Sequence, residues 1–298
     1  MKNKIISSLD DRIELNNGVL MPGIGVGGFT LRPEEEDMYT ALRYAFEIGF
    51  RLVDTAEFYN TEKDVGKAIK DSKIPREDMF VGTKVWLTSF EKVKETFYKS
   101  LKELDTDYVD MYLIHWPGSD AKLRLKVWDE ILELYAKGLI KAPGVANFMP
   151  EHIQELIDKS GITPTSNQIE LHPWYQQRNT RQICGEYNIN NTAWSPLAAG
   201  RIFTDETIKK IAEKYDKGMA QVILRWDIQK QIVPIPKSVF ENELLANTQV
   251  FDFELSKEDI DLLDSLDGRG HCSYNQYLFN GDFEEADIWA KADKLRFK

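Results

Sequence analysis

The chain alternates short apolar stretches with amphipathic ones, and this unit recurs eight times along its 298 residues. The apolar stretches have the length and composition of buried strands, and the stretches between them have the apolar spacing of helices. Strands that alternate with helices are typical of a parallel sheet. Eight units at this length favour a closed (β/α)₈ TIM barrel over an open sheet, because such barrels need about 250 residues. We therefore predict an α/β fold with a single barrel domain over residues 1–298.

Local signals indicate where some elements begin. An Asn17-Gly18 pair between short apolar runs predicts an N-terminal β-hairpin over residues 13–20, which we expect to plug one end of the barrel. Pro33 and the acids after it predict the start of the first helix. A capping box over residues 88–91 predicts the start of a helix that runs to about Leu104, and the next helix is expected from about Leu125.

Charge and composition limit the classes of partner. Lys and Arg number 38 and Asp and Glu 49, so the net charge is 38 − 49 = −11. An acidic chain is a poor general partner for nucleic acid or for an anionic membrane. Two cysteines without metal spacing and four scattered histidines indicate neither a metal site nor a disulfide framework. Without an apolar stretch near 18 residues or an apolar signal region, we expect a cytoplasmic protein.

Three consecutive predicted strands deliver reactive side chains at their ends. Asp54 closes the strand that begins after Phe50, and Tyr59 follows it in the connection. Lys84 and His115 stand at the ends of the next two strands. In a barrel of parallel strands, this end is where chemistry is found. Taken singly, each residue has an ordinary explanation as a cap, a surface side chain or a core histidine, but four complementary types on adjacent strand ends favour catalysis.

The motifs around these residues resemble those of the aldo-keto reductases, and the short loops after His115 and Trp194 resemble the family's microbial and protozoan members. The resemblance covers nearly the whole chain, and its specificity comes from the order of the motifs. These are Asp54-Thr55-Ala56 with Tyr59, Lys84-Val85-Trp86, Leu113-Ile114-His115-Trp116-Pro117, Ser166-Asn167-Gln168-Ile169-Glu170 with His172-Pro173, Trp194-Ser195-Pro196-Leu197 and Ile235-Pro236-Lys237-Ser238.

The resemblance implies a (β/α)₈ enzyme that reduces aldehydes and ketones to alcohols by hydride transfer from a nicotinamide cofactor. It assigns Tyr59 as the proton donor, Lys84 as its activator, Asp54 as the partner of Lys84, and His115 as the group that orients the carbonyl. A free tyrosine, with a pKa of about 10, is a weak acid at neutral pH. We expect the neighbouring ammonium to lower this pKa by stabilising the phenolate.

The resemblance also implies that the dinucleotide lies across the barrel mouth, since no Rossmann fingerprint is present. Asn147 and Gln168 would hold the nicotinamide amide, Trp194 would stack on its ring, and Ser195 and Leu197 would line the pyrophosphate. Lys237 and Ser238 would meet the adenosine 2′-phosphate, and Asn247 the adenine. The remaining predicted cofactor contacts are Gly27, Gly28, Ile235 and Val239.

Several positions depart from the family's pattern, among them Pro143, which replaces an aliphatic residue. Ala146 stands where the family often has serine, and Ala246 stands where an acid usually meets the adenine amine. Glu243 stands where many members carry an arginine on the adenosine phosphate, and an acid near a dianion is repulsive. We retain NADPH as the predicted cofactor because Lys237 and Ser238 are present, and Glu243 leaves NADH open.

The substrate pocket is expected to be aromatic. Phe29, Trp86 and Trp116 would form its walls, and a C-terminal tail over residues 272–283 would fold over its mouth through Tyr274, Tyr277, Leu278 and Phe279. Such a pocket favours small aldehydes and ketones with an apolar body. We expect a monomer or a weak homodimer.

Two other functions remain open at this point. The first is a regulatory protein on the same barrel that binds nucleotide and has only vestigial turnover. The second is a metal-dependent barrel hydrolase, which the low histidine count disfavours.

Overall fold

The computed structural model describes residues 6–30, 36–272 and Phe279. An antiparallel hairpin of β1 (Arg12–Glu14) and β2 (Leu20–Pro22) precedes an eight-stranded parallel sheet. The strands of this sheet lie in chain order and are β3 (Val26–Gly27), β4 (Leu52–Asp54), β5 (Phe80–Val85), β6 (Val109–Ile114), β7 (Ile140–Ala146), β8 (Ser166–Glu170), β9 (Asn190–Trp194) and β10 (Ile232–Pro234).

Backbone hydrogen bonds between the first and last strands close the sheet into a barrel. The amide of Gly25 donates to the carbonyl of Pro234, and the amide of Gly27 donates to that of Pro236, both at 3.0 Å. Gly25 lets the strands approach closely, because a Cβ atom there would lie 2.0 Å from the side chain of Leu52 and would force that buried side chain to move. The predicted (β/α)₈ barrel with its N-terminal hairpin is confirmed.

Helices follow the strands and cover the outside of the barrel. They are α1 (Met38–Glu47), α2 (Glu62–Ser72), α3 (Val93–Glu103), α4 (Ala121–Ala136), α5 (Pro150–Ser160), α6 (Arg178–Glu186), α7 (Glu206–Lys214), α8 (Met219–Gln229), α9 (Glu241–Thr248) and α10 (Lys257–Asp264). No helix in the described ranges is long and apolar enough to cross a membrane.

Three predicted helix starts were wrong. Helix α1 begins at Met38 rather than near Pro33, which lies outside the described residues, because the Asp37 carboxylate caps it by accepting from the amide of Thr40. The capping box predicted at residues 88–91 is instead part of a 3₁₀ turn, and α3 begins only at Val93. Helix α4 begins at Ala121, earlier than predicted, because Asp120 accepts from two amides of its first turn.

The strands carry different side chains into the barrel at their two ends. Near the start of β4 and β5, Leu52 and Phe80 pack with Leu15 and Met21 of the hairpin segment, so the hairpin plugs this end of the barrel as predicted. Because side chains alternate along a strand, the inward positions further along belong to the polar residues Asp54 and Lys84, while Val53 and Val81 join the core that faces the helices. The barrel interior therefore changes from apolar to reactive toward the C-terminal strand ends.

Candidate active site

The four predicted catalytic residues stand at the C-terminal ends of three adjacent strands. Asp54 is the last residue of β4 and pairs in register with Gly82 of β5, and Lys84 pairs with Leu113 of β6. His115 follows β6 directly, and its amide donates to the carbonyl of Val85. Tyr59 ends a 3₁₀ turn, Glu57–Tyr59, that leads from β4 toward α2.

Lys84 is completely buried and is held by three oxygen atoms. Its Nζ atom lies 2.5 Å from Asp54 Oδ2, donates to the carbonyl of Thr55 at 2.8 Å, and lies 3.5 Å from the Tyr59 hydroxyl. The second oxygen of Asp54 accepts from Gln168 Nε2 at 2.8 Å. Both oxygens of the carboxylate are therefore engaged, which fixes the position of the ammonium beneath Tyr59.

Tyr59 and His115 meet above this pair. The Tyr59 hydroxyl lies 3.3 Å from His115 Nε2, and the two rings pack edge to face with centroids 5.4 Å apart. Asn147 holds the histidine by donating to its backbone carbonyl at 3.0 Å. His115 Nδ1 is buried and has no hydrogen-bond partner among the described residues. The structure thus brings all four predicted residues into one cluster.

Burial sets the protonation states in this cluster. Burial, together with the positive charge of Lys84, lowers the pKa of His115 well below 6.5, so the imidazole is neutral at physiological pH. Burial also lowers the pKa of Lys84, and Asp54 opposes that shift. Burial, with a smaller contribution from the Asp54 carboxylate, raises the pKa of Tyr59 well above its ordinary value of 10.

The direction for Tyr59 corrects the expectation that Lys84 would make this phenol more acidic. The ammonium lies 2.5 Å from a carboxylate but 3.5 Å from the phenol oxygen, so the carboxylate offsets part of the stabilisation that Lys84 gives a phenolate. What remains is smaller than the cost of removing the phenolate from water, and the pKa therefore rises. Tyr59 is consequently a fully protonated donor at neutral pH.

Aromatic rings surround the cluster. The Phe29 ring packs against Tyr59 at 4.9 Å, while Trp86 lies 4.8 Å from His115. Phe279 contacts both Trp86 and Trp116, at centroid distances of 6.0 and 4.7 Å. Phe29 and Trp86 thus lie against the catalytic cluster, and Phe279 of the predicted tail packs on Trp86 and Trp116. The other tail residues, Tyr274, Tyr277 and Leu278, lie outside the described residues.

Sequence reasoning missed two residues of the turn that carries Tyr59. Phe58 stacks on Trp86 with centroids 4.2 Å apart and belongs to the same aromatic wall. The Glu57 carboxylate accepts from the backbone amide of Trp86 and, at 3.1 Å, from the hydroxyl of Ser89, while burial raises its pKa. Their position between Asp54 and Tyr59 in the sequence was the one available signal.

The predicted nicotinamide contacts lie next to the catalytic cluster. Asn147 follows β7 directly and Gln168 lies within β8. Both are buried, and the amide of Asn147 donates to the carbonyl of Gln168 at 2.9 Å. Trp194 Nε1 donates to Asn147 Oδ1 at 2.8 Å. Asn147 has a φ of +62°, a conformation that costs energy and is concentrated at ligand sites. The polar edges of a nicotinamide ring would fit these amides.

The loop after β9 is a tight turn with an unusual backbone. Ser195, Ala198 and Ala199 have φ values of +46°, +48° and +51°, followed by Gly200 at +83°. The amides of Ala198 and Gly200 donate to the carbonyls of Ser195 and Leu197 at 2.8 Å, so the loop is held by its own hydrogen bonds. The predicted pyrophosphate contacts Ser195 and Leu197 belong to this loop.

The predicted adenosine contacts follow β10. Lys237 Nζ forms an ion pair with Glu36 at 2.6 Å, and the Ser238 hydroxyl donates to Glu243 at 2.5 Å. Gly27 leaves room for Lys237 to lie close to β3, because a Cβ atom at position 27 would lie only 3.3 Å from Lys237 Cβ. The remaining predicted contacts lie beside β3 or β10, or in α9, and are Gly28, Ile235, Val239 and Asn247. Sequence reasoning did not find Glu36.

The arrangement can be compared with known proteins. The model of the Aldo/keto reductase family matches residues 23–268. The chain belongs to this family. It is 43% identical to the glyoxal reductase of Bacillus subtilis over 87% of this chain and 94% of that protein, and 40% identical to the methylglyoxal reductase of Escherichia coli over 86% and 93%.

Solved structures of the family agree with the fold. An aldo/keto reductase from Brucella melitensis is 41% identical and superimposes with a TM-score of 0.82, covering 86% of this chain and 99% of that one. An aldo-keto reductase of Bombyx mori in complex with NADP is 29% identical with a TM-score of 0.82, covering 91% and 99%.

Proposed function

We propose that this aldo-keto reductase reduces aldehydes and ketones to alcohols, with Tyr59 as the proton donor. The observation that carries the proposal is that His115 Nε2 and Lys84 Nζ both lie within 3.5 Å of the Tyr59 hydroxyl oxygen. A neutral hydrogen-bonding group and a cation beside one acid suit a reaction that places negative charge on a carbonyl oxygen.

Reduced nicotinamide, when bound, supplies the hydride, and the chain's own residues handle the charge that develops on oxygen. Tyr59 stays protonated at neutral pH because burial raises its pKa. Its proton still moves downhill to an alkoxide, whose basicity is close to that of hydroxide (water has a pKa of about 15.7). Lys84 then stabilises the phenolate that remains, and Asp54 keeps the ammonium in place.

Neutral His115 contributes direction rather than charge. With its pKa well below 6.5, the imidazole presents one N–H and one lone pair, and Nε2 faces the Tyr59 hydroxyl. We propose that it hydrogen-bonds the carbonyl oxygen and thereby aligns the substrate with Tyr59. The edge-to-face contact with Trp86 at 4.8 Å limits rotation of the ring.

We infer that small reactive carbonyls are the substrates. Phe29, Trp86 and Trp116 place apolar rings beside the polar cluster, and the relatives from Bacillus subtilis and Escherichia coli are named for glyoxal and methylglyoxal. A nicotinamide dinucleotide is the proposed cofactor. Lys237 and Ser238 make NADPH the first cofactor to test, and NADH the second.

The test is a reduction assay. Protein, NADPH or NADH, and methylglyoxal or an aromatic aldehyde should lower the absorbance at 340 nm. Tyr59→Phe should lower kcat by about 10²–10³-fold while dinucleotide binding persists. No turnover with either cofactor across an aldehyde panel would favour the alternative, a nucleotide-binding regulatory protein with vestigial turnover. An equally active Tyr59→Phe variant would remove this residue from the acid role.

A further inference from the structure

The two side chains expected to hold an adenosine 2′-phosphate already have anionic partners of the chain's own. The Lys237 ammonium is paired with the Glu36 carboxylate at 2.6 Å, and both are largely buried, with side chains 17% and 6% exposed. The Ser238 hydroxyl has a single hydrogen to donate, and it donates it to Glu243 Oε2 at 2.5 Å. Its oxygen accepts from the amide of Phe240 at 3.0 Å.

The positive N-terminal end of the neighbouring helix is also offset by acidic side chains. Helix α9 begins at Glu241, and its N-terminus would ordinarily attract a phosphate through its dipole and its first amides. Glu241 and Glu243 both lie in this first turn. A phosphate dianion arriving here would meet two carboxylates of α9 as well as Glu36.

We propose that Glu36 and Glu243 are specificity-determining residues that make the adenosine site select an unphosphorylated ribose, so that NADH serves at least as well as NADPH. This inference rests on the proposed function, because it assigns the adenosine of the cofactor to this site. A 2′-phosphate must displace Glu36 from Lys237 and Glu243 from Ser238, and it leaves both carboxylates beside a dianion.

A ribose with free hydroxyls faces none of these costs. Its 2′- and 3′-hydroxyls are hydrogen-bond donors, and a carboxylate such as Glu243 is an acceptor for them, which is how acidic residues recognise NAD in other folds. Lys237 can keep its ion pair with Glu36 while such a ribose binds. Lys237 and Ser238 resemble a phosphate site in the sequence. Together with their partners Glu36 and Glu243 they form a site of net negative charge.

The experiment compares cofactors and charge-neutral variants of the full chain. The ratio of kcat/KM for NADPH to that for NADH should be about one or lower in the unmodified protein. Glu36→Gln and Glu243→Gln should each raise this ratio about five-fold, which is the effect of one unit charge about 4 Å away in water-like surroundings. Glu213→Gln, an exposed acid in α7, is the control for the loss of a surface charge and should change the ratio by less than about two-fold.

A binding measurement separates this inference from the proposed function. Calorimetric titration of the unmodified protein with adenosine 2′,5′-bisphosphate and with adenosine 5′-monophosphate needs no turnover and no variant. Equal or tighter binding of the monophosphate supports the inference even if no aldehyde is reduced. Tighter binding of the bisphosphate, a preference for NADPH, or an unchanged ratio in the Glu36→Gln/Glu243→Gln double variant would overturn it.

Discussion

The barrel mouth holds two lysines paired with carboxylates, and the two pairs differ in what supports them. Lys84 is fully buried, and its partner Asp54 is fixed by a second hydrogen bond from Gln168 on β8. Lys237 lies just beyond β10, and its side chain is 17% exposed. Its partner Glu36 comes from the segment before α1 rather than from a strand end.

The Lys84–Asp54 pair is therefore fixed by the barrel, whereas the Lys237–Glu36 pair can exchange partners. The Lys84 pair joins three strand ends through short hydrogen bonds, so its geometry is built into the barrel before any substrate arrives. The Lys237 pair joins two connecting segments at the rim, where a ligand can compete for either partner. The same residue types therefore serve chemistry in one place and ligand choice in the other.

Replacing each lysine by methionine should affect kcat very differently. Lys84→Met should lower kcat by about 10²–10³-fold, because the phenolate left by Tyr59 loses its neighbouring cation. Lys237→Met should leave kcat at saturating NADH nearly unchanged and should alter mainly the KM for cofactor. Steady-state kinetics with both cofactors measures the two effects. Equal losses of kcat in the two variants would contradict the assignment of separate roles.

Stability should distinguish the carboxylates in the same way. Asp54→Asn leaves the buried Lys84 ammonium without its counter-ion, which costs about 3 kcal/mol of unfolding free energy. Glu36→Gln affects a pair that is also largely buried but whose lysine, 17% exposed, can reach solvent, so the cost should be smaller, about 1–2 kcal/mol. Urea denaturation of the three proteins measures both differences. A larger loss for Glu36→Gln would mean that the rim pair is the more rigid of the two.

The fold was predictable because its signals are local and repeated. Apolar runs such as Val109–Ile114 identify strands, and a glycine such as Gly161, which has a φ of +67° after α5, marks the end of a helix. Helix starts were less predictable. The capping box expected over residues 88–91 does not start α3, which begins at Val93, and the hydroxyl of Ser89 donates to Glu57, a residue brought close only by the barrel.

The candidate site shows the same limit. Asp54, Tyr59, Lys84 and His115 were found because each lies at a strand end within a recognisable motif. The partnership between Lys237 and Glu36 carries no sequence pattern, since it joins the last strand of the barrel to the segment before the first helix. The predicted shift of the Tyr59 pKa also had the wrong direction. Burial and the balance of charges around the phenol arise only in the folded cluster.

Glu57 holds the turn that carries Tyr59 and so belongs to the catalytic region. It ties the turn that carries Tyr59 to the end of β5 by accepting from the amide of Trp86 and the hydroxyl of Ser89. Glu57→Gln keeps one acceptor oxygen and loses the other, so the turn should be held less firmly. We expect a fall of about ten-fold in kcat/KM, since small displacements near reacting groups are costly.

The control for this variant is Glu91→Gln, an exposed acid in the neighbouring 3₁₀ turn. It should leave kcat/KM unchanged. If Glu57→Gln loses activity only in proportion to a loss of folded protein, the carboxylate supports the fold without positioning Tyr59.

The smallest expected effect is a difference in pH dependence between the two regions. From about pH 6 to 8, kcat with NADH should stay level, because His115 remains neutral with a pKa well below 6.5 and Tyr59 remains protonated with a pKa well above 10.

A phosphate monoester gains its second proton near pH 6. Glu36, Glu241 and Glu243 would then repel NADPH less at pH 6 than at pH 8. The KM for NADPH relative to NADH should fall about two-fold as the pH is lowered over this range. A rise in that ratio would mean that Lys237 attracts the dianion more strongly than the carboxylates repel it, and the rim pair would then be a phosphate site after all.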